Sequence, residues 1–158
     1  MIAQPAHIIR VFAFAITVLG IAACGSNPPA ATTSYPVSKG EHAAVIALDQ
    51  VGSPYRYGGT TPEGFDCSGL VQFSYSRAGV VVPRTTSQLW SASRTVRNDE
   101  LRAGDILFFN VEGKMSHVGM YLGEKRFVHA PQSGRKVSVA SLDSPFYKAA
   151  LIRVGRPY

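Results

Sequence analysis

Three side chains in this sequence have the types and the order for covalent catalysis: Cys67, then His117, then His129. Cys67 follows a glycine-rich stretch, Tyr55 to Phe65, that would let a substrate backbone approach closely. It also stands where a helix is expected to begin, and a helix N-terminus lowers a thiol pKa and favours the thiolate. The bland alternative is a small buried hydrophobe, which many free cysteines are. A nucleophile, a base and a group that orients the base form the general constellation for covalent catalysis, and the two histidines can supply base and orienter. The other histidines fit no such pattern. His7 lies in the N-terminal leader, and His42 opens the first expected helix as a surface residue.

Rival chemistries lack their parts. A zinc site calls for paired cysteines or two histidines one helical turn apart, and neither is present. The Gly-x-Ser-x-Gly elbow of serine hydrolases is missing. Gly58-Gly59 is not followed by the spacing of a dinucleotide or phosphate loop. Cysteine plus two histidines is the one assembly that uses what the chain has, and it implies no metal or organic cofactor.

Those residues must be held by helices and strands. Ala43, Ala44, Ile46, Ala47, Leu48 and Val51 follow a helical period that Gly52-Ser53-Pro54 ends. A second helix is expected from Cys67 to Arg77, with Asp66 as its N-cap and Ala78-Gly79 as its stop. Pro83 to Trp90 reads as a turn feeding a short helix. After Gly104-Asp105 the period switches to strands at Ile106–Phe109, His117–Leu122, Arg126–His129, Val137–Val139 and Leu151–Val154. Helices first and a mostly antiparallel sheet afterwards indicate an α+β domain.

The chain has 158 residues, of which 46% are hydrophobic and 16% charged, which suits one domain with appendages. That balance excludes a disordered chain, and two cysteines exclude a disulfide-stapled scaffold. The net charge of +6 is scattered, its densest stretch (Arg94, Arg97, Arg102) being interrupted by Asp99 and Glu100. With no basic run, finger or RNA-recognition signature, specific nucleic-acid binding is excluded.

The N-terminus reads as an address. Arg10 precedes an apolar run from Val11 to Ala23, the length of a signal-peptide core and short of the roughly 20 residues that span a bilayer. The run closes as Ile21-Ala22-Ala23-Cys24-Gly25, which resembles the lipobox of bacterial lipoproteins. Residues 1–23 are therefore expected to be a lipoprotein signal peptide, with a lipid on Cys24 and 24–40 as a flexible spacer rich in turn formers. Two or more acyl chains anchor stably where one does not. With Cys24 acylated, Cys67 has no cysteine to pair with.

Six ordered blocks then carry a resemblance: Pro54 to Gly59; Phe65-Asp66-Cys67-Ser68-Gly69-Leu70-Val71; Pro83 to Gln88; Leu101 to Phe109; Ser116 to Gly123; and Phe127-Val128-His129-Ala130. Together they span nearly all of 41–158, and that segment resembles the NlpC family of bacterial cell-wall cysteine peptidases. The resemblance implies a papain-like fold with N-terminal helices packed on the sheet, and hydrolysis of peptide bonds in peptidoglycan stem peptides. It implies Cys67 as nucleophile, His117 as base and His129 as the polar third member. Tyr55 matches the tyrosine that helps the Cys67 amide hold the oxyanion; the bland alternative is a core aromatic. Asp66 and Ser68 match pocket positions that receive a free amine, beside the reading of Asp66 as helix cap. Arg84 and Gln88 resemble pocket-shaping residues, and Gly104-Asp105 a turn.

The spacer and lipid anchor are expected to place this head at the inner face of an outer membrane, facing the periplasm, since Gly25 rather than Asp follows the lipid cysteine, and the protein is expected to be a monomer. Its partners would be stem peptides and the membrane. The bond cut is either D-glutamyl–diaminopimelate or the D-alanyl–diaminopimelate cross-link. An amidase or acyltransferase on another wall amide, and a non-catalytic wall-binding lipoprotein, stay open as alternatives; the intact Cys-His-His set argues against the last.

Overall fold

The computed structural model describes residues 36–111 and 113–157. The leader, Cys24 and most of the spacer lie outside the described residues. Helix α1 (Lys39–Leu48) starts at a capping box: Ser38 Oγ accepts the Glu41 N–H at 3.2 Å, and the Glu41 carboxylate accepts the Ser38 N–H at 2.8 Å. Its buried stripe is made of small residues, Ala43, Ala44 and Ala47. The helix stops at Leu48, earlier than the apolar period suggests, because Gln50 and Val51 already donate to carbonyls three residues back and Val51 is exposed.

The glycine-rich stretch is more ordered than a loop. It holds a minimal hairpin of β1 (Thr60–Thr61) and β2 (Gly64–Phe65), and it lies directly on helix α2 (Cys67–Arg77). Contact that close requires glycine. A Cβ on Gly69 would sit 2.0 Å from the Gly59 carbonyl oxygen. Asp66 caps α2 by accepting the Gly69 N–H at 2.7 Å. Helix α3 (Thr86–Ala92) begins at a second capping box, in which Gln88 accepts the Thr85 N–H while Thr85 Oγ1 accepts that of Gln88. Gln88 is thus an exposed cap and not a pocket residue.

Six strands follow in one antiparallel sheet: β3 (Arg94–Val96), β4 (Ile106–Val111), β5 (Lys114–Gly123), β6 (Arg126–His129), β7 (Ser138–Ser141) and β8 (Leu151–Arg156). Their spatial order is β3-β8-β4-β5-β6-β7. Strand β3 and a short helix α4 (Pro145–Ala150) escape the sequence pattern, since three and six residues are too few to display a period. Alternation along the strands sorts the core in two. Ile106, Phe108, Val118, Met120, Val128 and Ala130 face the three N-terminal helices. Leu107, Phe109, Phe127 and Val154 face the other way, where α4 covers them with Tyr147 and Ala150.

One buried ion pair ties the sheet to the preceding turn. Arg156 on β8 donates to both carboxylate oxygens of Asp105 at 2.6 and 2.8 Å, while Asp105 also accepts the Arg102 N–H. Gly104 takes φ of +96° there, and a Cβ on it would meet Gly40 of α1 at 2.3 Å. Gly104 and Asp105 therefore build a turn, as their sequence suggests. Among the described residues no helix is long and apolar enough to cross a membrane.

Candidate active site

Cys67 is the first residue of α2, and its sulfur reaches the open end of β5. Sγ lies 3.9 Å from the Ser116 carbonyl oxygen, to which the thiol donates, and 4.0 Å from Thr86 Oγ1 at the start of α3. The two histidines come from adjacent strands. The pairing Met120↔Val128 between β5 and β6 sets His117 and His129 two residues off direct opposition, on one face of the sheet. Their rings meet edge to face, with His117 Nε2 2.8 Å from His129 Nδ1. Phe109 and Phe127 pack against this pair at centroid distances of 5.9 and 5.0 Å, which keeps both rings oriented. Behind His129, the Tyr147 hydroxyl of α4 is 3.5 Å from Nε2.

Cys67, His117 and Tyr55 share one cleft of about 480 Å³, completed by Val111, Ser116, Pro131, Gln132, Arg135, Phe146 and Tyr147. Tyr55 is placed by backbone pairing: its N–H donates to the Arg135 carbonyl at 2.8 Å, and it bridges to Phe65 of β2. Among the described residues no hydrogen bond joins Cys67 to His117. Such contacts are commonly long before substrate binds.

Electrostatics here run against the expectation of a thiolate. Burial pushes the Cys67 thiol above its ordinary range, and the neighbouring Asp66 carboxylate adds to this. Hydrogen bonding with the backbone of Val118 and with Thr86 opposes the rise without reversing it. The histidines move the other way. Burial lowers His117 to about 4, and burial together with His117 lowers His129 to about 3. At neutral pH the site therefore rests as thiol and two neutral imidazoles, because desolvation outweighs the helix-terminus effect. The Tyr55 phenol is raised as well, first by burial and then by Cys67 and Asp66, so it stays a hydrogen-bond donor.

Asp66, Ser68 and Arg84 come together on the other side of Cys67, but they close on one another. Arg84 donates to the two Asp66 oxygens at 2.9 and 2.6 Å and to Ser68 Oγ at 2.9 Å. Asp66 also accepts the Gly58 and Gly69 N–H groups, and its side chain is 12% exposed against 30% for Arg84. Burial works against ionisation of Asp66, yet these donors outweigh it and hold its carboxyl below the usual range. None of the three lines the cleft. Sequence reasoning missed Gln132, Arg135 and Tyr147, whose local patterns carry no signal of a site, and gave no role to Thr86 although it lies in the Pro83 to Gln88 block.

A helix-borne cysteine set against a histidine pair on an antiparallel sheet defines an α+β domain of the papain-like class. The model of the NlpC/P60 family matches residues 52–156, and the chain belongs to that family. It is 41% identical over 114 residues to the bifunctional muramidase/DL-endopeptidase CwlT of Bacillus subtilis, covering 70% of this chain and 34% of that one. It is 35% identical over 107 residues to the murein DD-endopeptidase MepH of Escherichia coli, covering 64% and 40%. A crystal structure from Staphylococcus aureus, described as similar to a lipoprotein of the NLP/P60 family, superposes with a TM-score of 0.68 at 32% identity, covering 82% of this chain and 44% of the other. The match thus spans between a third and just under half of the length of these relatives.

Proposed function

We propose that this chain is a peptidoglycan endopeptidase that opens stem-peptide bonds through Cys67, His117 and His129. The observation that carries this reading is the cleft that holds the Cys67 thiol, His117 and Tyr55 together while His129 backs His117 at 2.8 Å. The names of CwlT and MepH support the substrate class.

His117 Nε2 is taken up by His129, which leaves Nδ1 to work in the cleft. Nδ1 accepts the thiol proton as sulfur bonds to the scissile carbonyl carbon and the carbonyl electron pair moves onto oxygen. The Cys67 N–H at the head of α2 and the Tyr55 hydroxyl hold that oxyanion. Collapse breaks the C–N bond, and the proton on Nδ1 leaves with the amine. Water then gives a proton to Nδ1 and its hydroxide to the thioester carbon; the C–S bond breaks, and the thiol regains its proton. Asp66, Ser68 and Arg84 form one hydrogen-bonded unit outside the cleft, and through the Asp66 cap they brace the start of α2 that carries the sulfur.

Two bonds are candidates, D-glutamyl–diaminopimelate and D-alanyl–diaminopimelate; of the relatives, CwlT is named a DL-endopeptidase and MepH a DD-endopeptidase. Purified muropeptides incubated with the protein and resolved by mass spectrometry decide between them. Unchanged muropeptides, or products cut at the sugar–peptide amide, would overturn the endopeptidase reading.

The same proposal extends to the N-terminus: residues 1–23 as a cleaved lipoprotein signal, a lipid on Cys24, 24–40 as spacer and an outer-membrane anchor facing the periplasm. The apolar run from Val11 to Ala23, directly before Cys24, supports it, and the likeness to a structure described as similar to a lipoprotein agrees. Mass spectrometry of the membrane fraction should find a diacylated Cys24 at the mature N-terminus, and Cys24→Ala should release a folded protein. An unmodified Cys24 in the mature protein overturns the anchor.

A further inference from the structure

Two arginines flank the catalytic cleft, and they differ in what they have left to offer. Arg84 is engaged by Asp66 and Ser68. Arg135 lines the cleft with Cys67 and His117, is exposed, and pairs with no carboxylate among the described residues.

Its backbone is fixed on both sides. The Arg135 N–H donates to the Gln132 carbonyl at 3.1 Å across a turn in which Gly134 takes φ of +78°. Its carbonyl accepts the Tyr55 N–H at 2.8 Å, and the next residues pair with the segment before Tyr55 through Pro54↔Lys136 and Val137 N–H to Ser53 O. The Arg135 Cα is therefore locked to the Tyr55 backbone, while its side chain is unspent. The guanidinium charge is also felt at the Tyr147 phenol, where it opposes the upward push of burial.

We propose that Arg135, with Gln132 beside it, is a carboxylate-recognition site of this cleft, a specificity residue that engages a free carboxylate of the stem peptide next to the scissile bond. The inference rests on the peptidase reading above. A planar cation with paired N–H donors matches a carboxylate at two points and a carboxamide poorly. Peptides built from glutamate and diaminopimelate carry such carboxylates beside their amide bonds, and amidation removes the charge without changing the shape.

The test uses two synthetic stem peptides, one with free carboxylates and one with the same groups as carboxamides. Hydrolysis and calorimetric binding to a Cys67→Ala background are both measured. Wild type should favour the carboxylate peptide in KM. Arg135→Ala should raise that KM roughly tenfold, the worth of one charge-assisted hydrogen-bonded contact, and leave the carboxamide peptide and kcat within about threefold. Arg135→Lys should recover part of the preference. Equal losses on both peptides, or an unchanged KM on the carboxylate peptide, overturn the site. The binding arm keeps the outcomes apart: carboxylate-selective binding without hydrolysis would count against the peptidase reading alone.

Discussion

His117 Nε2 and His129 Nδ1 lie 2.8 Å apart, so the hydrogen bond between them dictates which nitrogen of His117 works in the cleft. For Nδ1 of neutral His117 to act as base, its proton must sit on Nε2 and be donated to His129. His129 then carries its own proton on Nε2, where the Tyr147 hydroxyl oxygen can accept it. A chain of three side chains from β5, β6 and α4 thus sets one tautomer.

The pH profile should show this. Both imidazoles are neutral at pH 7, and His117 gains a proton only as pH falls through about 4. Muropeptide cleavage, as kcat/KM, should hold level from pH 7 to near 5 and then fall with a midpoint near 4. An acid limb near 6.5 would show that the base is not held neutral by burial. In the same assay His117→Gln should be inactive, whereas His129→Gln, whose amide can still hold an imidazole, should retain measurable activity. Circular dichroism would confirm that both variants fold.

Cys67 should alkylate late. Because burial and Asp66 push its pKa above the ordinary thiol value of about 8.5, iodoacetamide should modify it slowly at pH 7. The rate should climb as pH rises past 9, and activity should be lost in proportion to labelling. Mass spectrometry of tryptic peptides reads both. Rapid labelling at pH 6 would show a thiolate already paired with imidazolium. Cys67→Ser should keep its fold and lose nearly all turnover.

Tyr147→Phe removes the hydroxyl 3.5 Å from His129 and keeps the ring that packs edge-on against Phe109, Phe127 and His129. Stability should change by less than about 1 kcal/mol, since only a weak hydrogen bond is lost. Turnover should fall severalfold with KM unchanged, because the substitution frees the His129 tautomer. Urea denaturation and steady-state kinetics measure the two effects separately.

Asp105→Ala removes the carboxylate facing the Arg156 guanidinium, which is 7% exposed and also donates to the Glu100 carbonyl at 3.0 Å. Removing one partner of a buried ion pair typically costs about 3–5 kcal/mol. The Asp105→Leu/Arg156→Met double variant should be less destabilised than Asp105→Ala, because no buried charge is left uncompensated. Chemical denaturation of the three proteins makes the comparison.

Local sequence was enough to locate the helix that Cys67 heads and its cap, the two histidine-bearing strands and the α+β order. Each of these is written within a dozen consecutive residues, as a period, a cap or a glycine stop. The short elements β3 and α4 had no such signature, and Tyr147 was lost with α4. Three features of the site depend on residues far apart in the chain, and only packing decides them. Arg84 is turned onto Asp66 rather than toward substrate, and the Arg135 backbone is bound to Tyr55 from eighty positions away. The protonation of Cys67 is the third. A helix start argues for a thiolate, but pKa answers to the whole surroundings of the sulfur, and those come together only when β5, α3 and the Tyr55 stretch close over it.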